Sequence, residues 1–422
     1  MSTFVERVLQ IKGEHESRRI LRLCCFAFLT AGAYVVCRSV ADALFLANVG
    51  ARHLPAMHVI ATAFVVVLTV ISLRWRNRPR GLLPTQLLLA MATLTVPLFD
   101  PEPSGTLAIL VYGFLYILAQ LHGTVGMIFL TILLQGQFHG DEPPRVFGII
   151  GAGGTLAAIV FGVVVYWTVS SIEPVHLLYI VAALDVLAIV PVFSLSPERE
   201  EESDPIPDVG PPSSDAKKLP MSKLATAILM LVAIKVAALT FIEYQWKVSV
   251  ADAKSGVEAA MAAYFGLYYT GMNIVTGVIQ LLLAGRILRR FGALFALTLL
   301  PFSLLCGSIL VLATSALHIR LWVSTLLKST ESLRRGINDP ALQLLFKKVS
   351  RGQRELAVTK THGIAKPLAE LTAALGLQVI VLLITPAEIS WLVLILIAVW
   401  FYLVARMYPI LRSTFSASES AG

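Results

Sequence analysis

The chain has 422 residues, of which 57% are hydrophobic and only 14% are charged. Soluble domains contain about 45–50% apolar and about 25% charged residues, so this composition excludes an ordinary soluble protein. The formal charge of +8 comes mainly from basic residues in short segments between apolar blocks. That clustering is typical of the loops of membrane proteins and argues against nucleic-acid binding.

Apolar blocks recur along the chain, each long enough to cross about 30 Å of hydrocarbon as a helix. We place twelve membrane-spanning helices near residues 20–47, 53–73, 82–99, 105–135, 146–168, 174–194, 222–248, 258–285, 291–314, 317–334, 359–384 and 388–411. Basic residues cluster in alternate loops, at positions 74–80, 286–290 and 347–354. Because positive loops stay in the cytoplasm, we expect these loops and both termini to be cytoplasmic. We expect the membrane itself to be the inner membrane of a bacterium.

An acidic, proline-rich stretch, SPEREEESDPIPDVGPPSSDAKKLP, interrupts the pattern at 196–220 and has the composition of a disordered linker. We therefore predict an N-terminal six-helix bundle over 1–195, a cytoplasmic linker over 196–220 and a C-terminal six-helix bundle over 221–422. This plan is the layout of major facilitator transporters. The predicted fold class is an all-α polytopic membrane protein, major-facilitator-like, with about twelve transmembrane helices in two six-helix bundles.

Ionisable side chains inside apolar helices cost about 2.5–3.5 kcal/mol or more each at the membrane centre, which makes them the first candidates for a transport pathway. Lys235 lies near the middle of the seventh span, and we expect it to be the main cationic contact of a substrate. A snorkelling or locally paired lysine is the alternative. Further candidate substrate-binding residues, for which packing is the alternative, are His58, His122, Tyr264, Tyr268 and Asn273.

The first helix of each predicted half carries one opposite-charge pair: Arg38 with Asp42 in the first half, and Glu243 with Lys247 in the second. Residues four apart share a helix face, and both pairs fall near the outer helix ends. We expect them to form an outer gate in which Asp42 faces Lys247 and Arg38 faces Glu243, the alternative being closure within each helix. The remaining candidates for gating or coupling are Lys328, Glu331, Lys366 and Glu370. The alternative is that they are simply charges at helix ends.

A stripe of small residues, Gly154, Ala158 and Gly162, recurs every fourth position in the fifth span and predicts a close helix-packing face. No GK[ST] sequence follows this glycine-rich run, so a nucleotide-hydrolysing phosphate loop is excluded. The four cysteines lie in apolar segments without metal-ligand spacing. We find no catalytic motif either, and we expect no metal site, no cofactor and no enzymatic activity.

Four segments resemble the nucleotide transporter family, the ATP/ADP translocases of plastids and intracellular bacteria. They are RSVADALFLANVGARHLP (38–55), RVFGIIGAGG (145–154), IEYQWK (242–247) and the stretch from NDPALQLLF to GIAKPLAE (338–370). The resemblance implies a major-facilitator-like fold and a nucleotide or similar organic anion as substrate. The chain departs from the family at Ala41 and His58, where that family has lysines that would meet phosphates. We therefore expect the fold to transfer better than the substrate.

The function we expect is secondary active transport of a small polar or anionic solute by alternating access, with ATP, ADP, another organic anion or a small polar metabolite as candidate solutes. The lipid bilayer is an expected partner, and coupling to protons stays open. The alternative is a non-transporting membrane scaffold or sensor built on a transporter fold. A scaffold would be expected to lose its pathway charges, whereas this chain keeps several in both halves.

Overall fold

The computed structural model describes residues 14–73, 83–99, 103, 105–137, 143–193, 223–314, 316–347, 349, 357–358, 360–361 and 365–419. The predicted linker at 196–220, the basic loop at 74–80, both chain ends and most of the basic segment at 347–354 lie outside the described residues.

The described part of the chain is almost entirely helical. Its first six α-helices are α1 (Glu14–Asn48), α2 (Leu54–Leu73), α3 (Leu83–Thr95), α4 (Thr106–Gln137), α5 (Pro143–Thr168) and α6 (Leu178–Phe193). The next are α7 (Lys223–Ala253), α8 (Glu258–Val278), α9 (Gly285–Ala313), α10 (Leu317–Ser329), α11 (Glu331–Leu333), α12 (Asp339–Lys347), α13 (Lys366–Ile380) and α14 (Ile389–Glu419). Short 3₁₀ turns precede α2 and α6 and follow α3, and π-helical turns cover Ile279–Ala284 and Arg334–Asn338.

Helical structure extends beyond the predicted end of the tenth span. The sequence places that end near residue 334, whereas helical structure continues through α11 and the π-helical turn Arg334–Asn338 into α12, which ends at Lys347. Arg334 and Arg335 lie at this boundary, and both bind the carboxylate of Glu331 one turn earlier. Their charge is therefore compensated inside the helix, and the helix does not need to end there.

The apolar region Glu258–Ala313 is 56 residues long, far more than one crossing of about 30 Å requires at 1.5 Å per residue. Gly292 interrupts it with a φ of 79° and a ψ of 172°, a conformation that residues with a Cβ rarely adopt. This break falls at the start of the predicted ninth span (291–314) and divides the region into two helical segments.

The surface of the described helices is rich in large apolar side chains. Leu281 is 85% exposed, and Trp167 and Trp322 are each 70% exposed. Within the described residues, eight apolar segments have the length and composition of a membrane span. Apolar surface of this extent in a soluble protein would be unusual, whereas lipid covers it without cost. The chain is an integral membrane protein with an all-α polytopic fold.

The helices form two compact units. Unit 1 contains Met1–Gly50, Ala63–Glu201 and Gly256–Ile274, and unit 2 contains Ala51–Thr62, Glu202–Ser255 and Val275–Gly422. In unit 1, α1 packs against α4, α5 and α6; in unit 2, α7 packs against α10, α13 and α14. Each unit thus has one central helix, and these are the two helices that carry the opposite-charge pairs.

The small-residue stripe of α5 is a packing face of unit 1. A Cβ atom placed on Gly162 would lie 2.5 Å from the carbonyl oxygen of Gly266 in α8, and a Cβ on Gly266 would lie 2.7 Å from the carbonyl oxygen of Gly162. Thr270 donates a hydrogen bond across the same contact to the carbonyl of Ile159, at 3.2 Å. The two backbones touch here, which confirms the predicted packing role of Gly162.

The turn before α14 is closed by Glu388. Its carboxylate accepts hydrogen bonds from the backbone N–H and the hydroxyl of Thr385, at 2.7 and 2.8 Å. These two bonds lower the pKa of Glu388 below its ordinary value. An ionised carboxylate at this position also suits the positive N-terminal end of α14.

Candidate functional site

Lys235 of α7 forms an ion pair inside unit 2. Its Nζ lies 2.6 Å from Oδ1 of Asp339, the first residue of α12, and donates a second hydrogen bond of 3.3 Å to Oδ1 of Asn338. The lysine side chain is 7% exposed and the aspartate side chain is 41% exposed. Lys235 is thus paired with a residue of another helix, 104 positions away, and the pair is open on the Asp339 side. Its role as a substrate contact stays a prediction.

A π-helical turn positions this pair. Residues Arg334–Asn338 hold one residue more per turn than an α-helix, and the turn ends where Asn338 and Asp339 reach Lys235. Single π-helical turns inside α-helices are frequent at functional sites. Asn338 is completely buried, and its Nδ2 has no hydrogen-bond partner among the described residues. The side chain thus keeps a spare donor beside the Lys235 ammonium.

A second group of charges surrounds Glu243, further along α7. Glu243 is bound by Lys247 at 3.0 Å and by Lys328 of α10 at 3.5 Å. Lys328 also contacts Glu331 at 2.7 Å and lies 5.9 Å from the centre of the Trp246 ring. Two carboxylates and one aromatic ring thus compensate one buried ammonium, which indicates a structural role for Lys328.

Glu331 collects the most cations of any carboxylate in the described part of unit 2. Besides Lys328, it accepts hydrogen bonds from Arg334 and, at 3.2 Å, from Arg335. Arg335 is 46% exposed, whereas the Glu331 side chain is only 15% exposed. The carboxylate therefore holds the cationic groups of α10 and the π-helical turn in place.

The Lys235–Asp339 pair and the group around Glu243 and Glu331 together carry an excess of positive charge. Three acidic groups, Glu243, Glu331 and Asp339, face five basic ones, Lys235, Lys247, Lys328, Arg334 and Arg335. Arg334 and Lys366 also act electrostatically on Lys235. Since like charges gathered in a low dielectric repel, an additional anion would be stabilised here.

The first charge pair is buried in unit 1. Nε of Arg38 lies 3.0 Å from Oδ2 of Asp42, and the two side chains are 5% and 0% exposed. The Arg38 guanidinium also lies 5.2 Å from the ring centre of Tyr116, and the hydroxyl of Tyr269 donates to Asp42 at 3.4 Å. The pair is therefore bound to α4 and α8 as well as within α1.

Each charge pair of the expected gate is closed within its own helix, Arg38 with Asp42 and Glu243 with Lys247. The alternative left open by the sequence thus describes the geometry of each unit. The pairing of Asp42 with Lys247 and of Arg38 with Glu243 stays a prediction.

His122 is buried in unit 1, and sequence reasoning missed its partners. Nε2 lies 2.8 Å from Oδ2 of Asp185 in α6, and Nδ1 lies 2.8 Å from the carbonyl oxygen of Leu118. Gln86 of α3 donates to the other oxygen of Asp185 at 2.7 Å. The available signal was Asp185 itself, the lone charged residue of the apolar segment LYIVAALDVLAIVPVF.

The other predicted site residues are spread over both units. His58 and Glu370 form an ion pair of 3.3 Å in unit 2, with side chains 14% and 33% exposed. Asn273 donates to the carbonyl of Tyr269 in its own helix at 2.8 Å, which satisfies it locally. The rest are Tyr264 and Tyr268 in α8, both beside other rings, and the exposed Lys366 at the start of α13.

Among the described residues, no group of three or more His, Cys, Asp or Glu side chains is placed to hold a metal ion.

No family model and no curated protein matches the sequence. Among solved structures, the POT family transporter PepTSo matches with a TM-score of 0.65 and 12% identity, over 93% of this chain and 98% of that one. The nucleoside transporter NupG matches with a TM-score of 0.63 and 13% identity, over 93% and 99% of the two chains. A bacterial homologue of the iron transporter ferroportin, in an inward-facing state, matches with a TM-score of 0.62 and 13% identity, over 92% and 97%.

These likenesses cover nearly the whole chain at low identity, so they show the fold alone. The chain has a major-facilitator-like fold, as the sequence predicts. The comparisons do not show membership of the ATP/ADP translocase family.

Proposed function

We propose that the protein is a secondary active transporter of a small anionic or zwitterionic solute, working by alternating access. The observation that carries the proposal is the Lys235 cluster: a buried ammonium, a half-open carboxylate at Asp339 and a spare amide donor at Asn338, inside a membrane helix bundle with excess positive charge. Ionisable groups inside apolar membrane helices are costly, and solute pathways are among the functions that retain them.

The cluster suits a solute with an anionic group. A carboxylate or phosphate would take the place of Asp339 on Lys235 and accept a hydrogen bond from Nδ2 of Asn338. Asp339, already 41% exposed, would then turn outward or receive an ammonium group of a zwitterion. Binding would thus exchange one partner of Lys235 for another without leaving the ammonium unpaired.

The sequence resemblance supports nucleotides such as ATP and ADP among the candidate anions. Two lysines of that family are replaced here by Ala41 and His58, and His58 binds Glu370. These differences favour a solute with fewer phosphates, or another organic anion. The inner bacterial membrane, cytoplasmic termini and the boundaries at 195 and 221 belong to the same proposal and rest on the loop charges and the linker.

A ligand screen by thermal shift tests the proposal. The purified protein is heated with nucleotides, sugar phosphates, amino acids and dicarboxylates, one at a time. A solute at 100 times its Kd should stabilise the folded state by about 2.7 kcal/mol, because it binds only that state. We expect a stabilising solute that carries an anionic group.

Two substitutions then locate the site. Lys235→Ala should abolish the shift, whereas Lys223→Ala, an exposed lysine at the start of the same helix, should leave it unchanged. An equal shift in wild type and Lys235→Ala would place the solute elsewhere. Stabilisation by cations or uncharged solutes alone would contradict an anionic substrate.

A further inference from the structure

The hydrogen bonds of the His122–Asp185 pair require two hydrogens, one on Nδ1 of His122 and one between Nε2 and the Asp185 carboxyl group. Leu118 can only accept through its carbonyl oxygen, so Nδ1 of His122 carries a hydrogen. The 2.8 Å contact between Nε2 and Asp185 then needs a second hydrogen, borne either by the ring or by the carboxyl group. Both forms, imidazolium with carboxylate and imidazole with carboxylic acid, contain the same total number of protons.

The protonated pair is neutral, which suits its surroundings. The two side chains are 2% and 1% exposed, and an isolated charge at such a place is strongly disfavoured. Loss of the proton would leave a net negative charge and would also break one of the two bonds of His122, since one ring nitrogen would face an acceptor without a hydrogen. Proton loss would therefore loosen the attachment of α4 to α6.

The neighbouring helices add few other titratable groups. Cys37 of α1 lies against the His122 ring, and α3 contributes the uncharged Gln86. The amide of Gln86 has a second role: its Oε1 is buried without a partner among the described residues, and the side chain borders a small cavity. The other residues that line this cavity are apolar: Phe26, Phe129, Leu133, Ala188, Ile189 and Val192.

From this arrangement we propose that His122, Asp185 and Gln86 form a proton-binding site inside unit 1. The reaction is a proton transfer to water and back: the imidazolium–carboxylate pair releases H⁺ and becomes imidazole with carboxylate, with no change in electrons. Coupling of this proton to solute movement rests on the proposed function. The binding of the proton does not, and the experiment measures the proton alone.

The test is infrared difference spectroscopy of the full-length protein in lipid, with the buffer switched between about pH 6 and about pH 10. This window lies above the range in which histidine ordinarily titrates, because the neutral protonated pair should keep its proton beyond that range. Wild type should show a reversible imidazole and carboxylate signal. The signal should be absent from Asp185→Asn and from His122→Gln, and retained in Asp339→Asn and in Cys37→Ser. The proposal would be overturned if wild type showed no such signal, or if the Asp185→Asn variant kept it.

A milder variant guards against loss of folding. Gln86→Leu removes a hydrogen bond to Asp185 but no charge, so the carboxylate band should persist at a shifted frequency. An unshifted band would remove Gln86 from the site.

Discussion

Lys235 and Asp339 share a 2.6 Å ion pair although only one of them is buried: the lysine side chain is 7% exposed and the aspartate side chain 41%. The pair is therefore unequal. Removing the aspartate strands an ammonium inside the helix bundle, whereas removing the ammonium leaves a carboxylate that solvent can reach. This asymmetry makes Lys235 dependent on a partner and leaves Asp339 free to be exchanged for a solute anion.

The asymmetry predicts unequal stability effects. Asp339→Ala should destabilise the protein by about 3 kcal/mol, because it leaves a buried charge uncompensated. Lys235→Met, which keeps the side-chain volume and removes the charge, should cost less than about 1 kcal/mol. Thermal unfolding in detergent, without solute, measures both, and equal losses or the reverse order would contradict a buried lysine that depends on Asp339.

Glu331 should be the carboxylate of unit 2 that stability depends on most. Glu331→Gln leaves Lys328, Arg334 and Arg335 without their shared partner, so we expect a loss of about 3–5 kcal/mol. The matched control is Glu173→Gln, whose side chain is 78% exposed and should change the unfolding temperature little. A loss at Glu331 no larger than at Glu173 would show that the network is not structural.

The α5–α8 contact should not accept a methyl group. Gly162→Ala places a Cβ 2.5 Å from the carbonyl oxygen of Gly266, so the helices must separate at a cost of about 1–3 kcal/mol. Gly151→Ala, in the same helix with no atom within 4 Å of the new Cβ, should stabilise by about 0.5–1 kcal/mol instead. Opposite signs of the two changes in unfolding temperature are the expected result; two changes of the same sign would remove the close contact.

The expected outer gate can be tested by double-mutant cycles. Asp42→Lys and Lys247→Asp should each impair transport, and their combination should recover part of it if the two residues pair in one state of the cycle. The control cycle is Arg38 with Asp42, which the 3.0 Å ion pair already joins. Coupling only in the control cycle would leave both pairs as internal braces of α1 and α7.

The apolar blocks predict the all-α membrane fold, since lipid demands a continuous run of apolar residues in each helix. Eight apolar segments of the described residues have the length and composition of a span. The blocks do not predict that helical structure continues past residue 334, where Glu331 binds both Arg334 and Arg335. The π-helical turn at Asn338 leaves no pattern in the sequence either. Its position depends on packing against other helices.

In the candidate site too, the sequence reveals some residues but not the partners that the fold gives them. Lys235 stands out in the sequence because a charge in an apolar helix is rare, but its partner lies 104 residues away and no local spacing reveals it. Asp185 carries the same kind of signal and was overlooked, and Gln86 is 99 residues away from it. Long-range pairing of single polar residues is set by the fold, so a sequence alone identifies one member at most.

Uptake by the reconstituted protein tests the central proposal most directly. The anionic solute that stabilises the purified protein is added, radiolabelled, to proteoliposomes containing wild type, Lys235→Ala or Lys223→Ala, each preloaded with the unlabelled solute. We predict saturable uptake of label in wild type and Lys223→Ala, and none above empty liposomes in Lys235→Ala. Binding by wild type without any uptake would contradict a transporter and would favour a membrane sensor or scaffold.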